Sequence, residues 1–251
     1  MIFHKKDLDL VLVPGGLMIM FTYHLFFLYR YRNAPRTTVM GVENIDKRAW
    51  VDGVSEVNLD ERTFATNVIS SSVIAATFLA SVSLTLSSLL GAWIANSDAN
   101  NTFRQLGGLG DPDPSASAIK YMSLLACFIL AFAFFLQSAR HFIHANFLVT
   151  TKIESISKED VKVVIIRGGE FSSLGLRAIY FALALLLWFF GPVPMFVAST
   201  ILVMILYHHD LHSIPLERKT PPTTTQIRSP AGGQAAAAAP GMEQQSGVTN
   251  G

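Results

Sequence analysis

The chain has 251 residues, 51% of them hydrophobic and 15% charged, with a formal net charge of +1. That balance provides no global field to recruit nucleic acid, and the single cysteine, Cys127, excludes an internal disulfide, a disulfide framework and a Cys-based zinc site. What remains is a chain whose apolar residues gather in long runs with the charges between them, the composition of a polytopic membrane protein.

Four runs, at about 8–29, 68–95, 121–141 and 178–207, are each long enough to cross a hydrocarbon core of ~30 Å as a helix. The sequence therefore predicts an all-α fold over 1–212, a bundle of four transmembrane helices with short cytoplasmic amphipathic helices, followed by a low-complexity tail, 213–251. The first run begins with Asp9 and contains Pro14-Gly15-Gly16, which predicts a kinked first turn. It exceeds the h-region of a signal peptide and ends in Tyr29-Arg30-Tyr31-Arg32 rather than in small residues, so it reads as a retained anchor. His24 lies near its end among Tyr23, Phe26 and Phe27, where a polar ring must face the bundle or the interface.

Between the first two runs Val42, Ile45, Ala49, Trp50, Val54 and Val57 recur at helical spacing among charges, the pattern of a surface helix with Trp50 as interface anchor. In the second run Ser72, Ala76, Ala80, Ser83, Ser87, Gly91 and Ala95 recur at spacings of four and three. Such a small-residue ridge lets another backbone approach, either inside the bundle or as a homo-oligomer contact, and its serines can bond across it.

The third run continues into a polar stripe, Gln137, Arg140, His141 and His144, with Phe142, Ile143 and Phe147 opposite. Arg140 would snorkel to headgroups, and His24, His141 and His144, on one membrane side, could converge on a transition metal or a proton relay. In the third connection Ser157-Lys158-Glu159-Asp160 starts a short helix expected to end before Gly168-Gly169. Gly191-Pro192-Val193-Pro194 breaks the fourth run, which Arg177 precedes, and predicts a kink. The prolines would leave the carbonyls of Trp188 and Phe190 without their usual donors, which makes them a candidate cation or substrate site. His208 and His212 have the spacing of a helical metal pair but lack a third ligand.

Orientation follows from the basic residues. The first connection holds Arg30, Arg32, Arg36, Lys47, Arg48 and Arg62, and the third Arg140, Lys152, Lys158, Lys162, Arg167 and Arg177, twelve of the nineteen Lys and Arg residues. With four crossings this places both connections in the cytoplasm and both termini outside or in a lumen, in a plasma membrane or endomembrane. Asn100, in Asn100-Asn101-Thr102, is then a glycosylation candidate on the outer side.

Several strings carry a resemblance: Tyr23-His24 with a Tyr-Arg exit, Pro35-Arg-Thr-Thr-Val-Met-Gly41, Arg48-Ala-Trp-Val51 and Ala75-Ala-Thr-Phe-Leu-Ala-Ser81. Beside them stand Gly175-Leu-Arg-Ala-Ile-Tyr-Phe-Ala182 and Trp188-Phe-Phe-Gly-Pro192. Over residues 5 to about 212 the chain resembles the membrane family called domain of unknown function 599, in its plant-type form. The resemblance implies a four-helix membrane protein and no activity. Where plant members show a Val-Gln-Thr-Leu-Arg-Asn approach to the second helix, this chain has Phe64-Ala-Thr-Asn-Val-Ile69, so no role for that arginine carries over. The bilayer is the expected partner, no cofactor or catalytic motif is present, and the expected role is non-catalytic assembly. Transport of an ion or small solute and a metal-dependent membrane enzyme are the alternatives.

Overall fold

The computed structural model describes residues 5–54, 59–95, 114–151 and 157–211. Asn100, His212 and the tail 213–251 lie outside these, as does Val57. Among the described residues there are six α-helices and no strand: α1 (Lys5–Asn33), α2 (Val39–Val54), α3 (Leu59–Ala95), α4 (Pro114–Thr150), α5 (Lys158–Leu187) and α6 (Pro192–Leu211). Five of them, all but α2, are long and apolar enough to cross a membrane. The fold is all-α and membrane-like, as expected, but the count of four crossings is corrected to five candidates.

The miscount arises from two groups of glycines. Gly168-Gly169 does not stop the helix that begins at Ser157, whose Oγ accepts from Glu159 N at 3.2 Å; α5 runs on to Leu187. The helical glycine admits a neighbour: a Cβ on Gly168 would lie 2.9 Å from the Phe142 ring of α4, and Ser138 Oγ donates to Gly168 O at 2.7 Å. Packing therefore outweighs the ~1 kcal/mol propensity cost of glycine in a helix. One turn of 3-10 helix, Trp188–Phe190, then leads to Gly191 at φ 133 and ψ 171, a region closed to residues with a Cβ. Pro192 opens α6 at the first helical position, which its fixed φ favours.

The chain does not kink at this point; it reverses. Arg177 and Asp210 are 33 residues apart, which along one helix would be about 50 Å, yet Arg177 Nη2 and Asp210 Oδ2 are 2.8 Å apart. The run 178–207 is thus the end of one crossing and most of another. Since α5 and α6 are antiparallel, the start of α1 and the end of α6 lie at opposite ends of the bundle, not at the shared end that four crossings require.

Helix α4 is the spine, with α3 along one side and α5 along the other. Three apolar clusters hold it. At the Asp9 end Val13, Leu90, Leu124, Phe128, Ala182 and Met195 join all five long helices. Midway Ala80, Ala131 and Phe135 pack together, and at the Tyr31 end Val51, Ile69, Phe142, Ala145 and Ile165 bring in α2. The outward faces are also apolar, with Leu25, Phe78, Ile129, Leu136 and Met204 exposed, which suits a hydrocarbon solvent.

In α1 the helix continues through Pro14 without a break. Gly15 and Gly16 instead let α6 approach: a Cβ on Gly16 would lie 3.2 Å from Ser199 Oγ. Helix α2 is capped by Thr38, whose Oγ1 accepts from Gly41 N at 3.2 Å. It is tied to α5 by Lys162 Nζ, which lies 2.7 Å from both Asp52 Oδ1 and Glu159 Oε1.

Two outcomes follow. A Cβ on Gly175 would stand 2.7 Å from Cε1 of the fully buried Phe135, whereas one on Gly91 meets nothing within 4 Å. Gly175→Val should therefore lower unfolding stability in mixed detergent micelles by about 1–3 kcal/mol, and Gly91→Ala should be neutral or raise it by about 0.5–1 kcal/mol. Tags fused to the two termini should be cut by protease from opposite faces of sealed vesicles; cleavage from one face would restore an even number of crossings.

Candidate functional site

Three long helices meet on one carboxylate oxygen. Asp210, in the last turn of α6, accepts on Oδ2 from Arg177 Nη2 of α5 at 2.8 Å and from Tyr23 Oη of α1, also at 2.8 Å. The Arg177 guanidinium carbon lies 4.0 Å above the centre of the Phe27 ring, one turn further along α1. The pair is well buried, with side-chain exposures of 14% for Arg177 and 11% for Asp210. Charges inside a bilayer persist only when paired and hydrogen-bonded, and both conditions are met on this oxygen.

Two polar atoms nearby are not satisfied. Arg177 Nη1 is buried and has no hydrogen-bond partner. His24 Nδ1 donates to Met20 O at 2.7 Å, which places its proton there and leaves Nε2 as an acceptor; Nε2 is buried and also lacks a partner. The His24 ring packs 4.8 Å from Phe181 of α5 and edge-on to Tyr23 at 5.5 Å.

The stripe continues along α1 at intervals of four residues. Tyr31 stacks parallel to Phe27, donates to Glu170 Oε1 at 2.5 Å and accepts from Asn44 Nδ2 at 2.9 Å. Tyr23, Phe27 and Tyr31 therefore form one face of α1, directed at Arg177 and Glu170 of α5. At the far end Trp188 acts as a clasp: its Nε1 donates to Asp9 Oδ1 at 3.3 Å, and Lys120 Nζ lies 3.4 Å from its carbonyl and 5.1 Å above its ring.

Of the residues singled out by sequence, Arg177 is at the centre of this cluster and His24 beside it. His141 stacks on Phe171 at 5.3 Å, while Gln137, Arg140 and His144 lie on the exposed face of α4. His24, His141 and His144 do not converge: among the described residues no group of three or more His, Cys, Asp or Glu could hold a metal. Pro192 and Pro194 stand in the first turn of α6, where backbone N–H groups have no intrahelical partner, so the expected stranded carbonyls do not arise. The Trp188 carbonyl accepts from Gly191 N at 3.1 Å.

On the small-residue ridge Ala76, Ala80, Ser83 and Ser87 are buried, Ala80 against Ala131 and Phe135 of α4, which leaves Gly91 open and Ser72 in a cavity wall. Ser83 and Ser87 donate to Leu79 O and Ser83 O of their own helix, at 2.8 and 3.0 Å, rather than across the contact. Sequence reading missed Asp210, Tyr31 and Glu170. The signal available was the Tyr23-Phe27-Tyr31 spacing, and Asp210 was obscured by the histidines around it.

The family model described as "Protein of unknown function, DUF599" matches residues 11–214, and the chain belongs to that family. No curated protein and no solved structure matches it.

Removing one partner of the buried pair leaves the other charge uncompensated, so Arg177→Ala or Asp210→Ala should each cost about 3–5 kcal/mol of unfolding stability. The double replacement Arg177→Met with Asp210→Leu should recover most of that loss. Additive losses in the double variant would show that the two side chains do not act as a pair.

Proposed function

We propose that this DUF599 protein, of plant type and resident in a plasma membrane or endomembrane, transports a small anion together with a proton. The observation that carries the reading is the Tyr23–Asp210–Arg177 cluster, with Arg177 Nη1 buried and without a hydrogen-bond partner beside the bonded Nη2. A buried guanidinium with a spare donor offers charge-assisted hydrogen bonds to an anion. The cluster holds one cation and one anion and is neutral, so an entering anion adds a negative charge that hydrocarbon disfavours. Protonation of Asp210 restores neutrality and frees Arg177 Nη2 to turn to the solute. Anion and proton would then move together, and release of Asp210 would loosen α6 from α5.

Five crossings also sharpen the charge asymmetry. Among the described basic residues Lys5, Lys6 and Lys120 fall at the Asp9 end, while Arg30, Arg32, Arg36, Lys47, Arg48, Arg62, Arg140, Lys158, Lys162 and Arg167 fall toward the opposite end. By the positive-inside rule the Tyr31 end faces the cytosol, with the N-terminus outside or lumenal.

Proteoliposomes loaded with a pH-sensitive dye test the reading. An inward chloride or nitrate gradient should acidify the lumen faster than in empty vesicles; Arg177→Met should abolish this, and Asp210→Asn should uncouple anion entry from acidification. Luminal pH that follows empty vesicles for both anions overturns the proposal and selects the rival, a non-catalytic assembly role, which the full charge compensation of the pair also suits.

A further inference from the structure

On α5, Glu170, Arg177 and Phe181 face α1, whereas Gly169, Ser172, Ser173 and Leu176, on the neighbouring face, line a cleft also walled by α2, α3 and α4. The cleft has a volume of about 610 Å³, within the range of small-molecule sites. Its composition is graded. Glu43, Asp46 and Lys47, all on the amphipathic helix α2, form a charged rim. Ser72, Ser172 and Ser173 contribute hydroxyls, and Val68, Ile69, Ala75, Phe142, Ile165 and Leu176 form apolar walls, with Trp50 also lining it. Polar groups gathered on a surface helix above an apolar interior match the layout of one phospholipid, headgroup at the interface and acyl chain toward the bundle.

The charges at the rim identify the headgroup. Two carboxylates stand beside one ammonium, Lys47 Nζ, which lies 2.8 Å from Glu43 Oε1. A headgroup carrying both a phosphate and a primary ammonium complements that set: phosphate to Lys47, ammonium to Glu43 and Asp46. A purely anionic headgroup would face two like charges. Gly169 of α5 lies directly beneath the Lys47 ammonium, which brings the rim and the α5 wall together. We propose that the cleft between α2, α3, α4 and α5 binds one aminophospholipid of the phosphatidylethanolamine class, headgroup on Glu43, Asp46 and Lys47 and acyl chain along α3 and α5. This site is separate from the Arg177 cluster and does not depend on transport.

The full chain in nanodiscs is to be illuminated with a phosphatidylethanolamine whose acyl chain carries a diazirine, and in parallel with matching phosphatidylcholine and phosphatidylglycerol probes. The ethanolamine probe should label peptides covering 68–76 and 165–176, roughly tenfold above the glycerol probe. Ala75→Trp fills the cleft from an exposed position and should remove that labelling, while Phe78→Trp, exposed outside the cleft, should leave it intact. Reversal of the rim in Glu43→Lys with Asp46→Lys should move the preference to the glycerol probe. Equal labelling by the three probes, labelling spread over all exposed helix faces, or persistence in Ala75→Trp would overturn the assignment.

Discussion

The backbone at Gly191, φ 133 with ψ 171, governs everything on the α1 side of the bundle. It reverses the chain within four residues, so α6 returns beside α5 and brings Asp210 to Arg177. Trp188 secures the reversal through its ring nitrogen, its carbonyl and its face, to α1 on one side and α4 on the other. With a straight continuation Asp210 would stand about 50 Å from Arg177, and the guanidinium would be left in hydrocarbon without its counter-charge, which is costly.

Polar contacts recur along the bundle, each between two different helices. Trp188 meets Asp9 at one end, while Ser138 meets the Gly168 carbonyl and Tyr31 meets Glu170 toward the other. Apolar burial alone is a weak guide to helix partners in lipid, because the tails are as apolar as the side chains. Close packing at Gly16, Gly168 and Gly175 supplies the van der Waals contact, and the polar pairs select which helix faces which.

The helical class, the apolar runs and the surface helix with Trp50 were legible in the sequence because their cues are local: run length, periodicity and charge placement. The fifth crossing was not. Its stretch up to Arg177 carries Lys162, Arg167, Glu170 and Arg177 and two glycine sites, so windowed apolarity is diluted and Gly168-Gly169 resembles a stop. Whether a helical glycine ends a helix or seats a neighbour's ring depends on Phe142, a contact with no local trace. Arg177 stands out in the sequence as a charge at a helix end, but its partner lies beyond a reversal whose Gly-Pro pattern resembles a kink. The histidines misled in the opposite sense, since equal depth in the membrane does not imply a shared face.

The reversal has one more consequence. Helices α1 and α6 run parallel: Gly16 lies against Ser199 and Tyr23 against Asp210. With α4 parallel to both and α3 and α5 running the other way, one helix macrodipole is left uncancelled, its partial negative charge at the end where α1 and α6 finish. Arg30 and Arg32 occupy the last turn of one, His208 and His209 that of the other. The protein thus carries its own electric polarity along the membrane normal, and a cation such as the Arg177 guanidinium is held toward the end where that field is most negative.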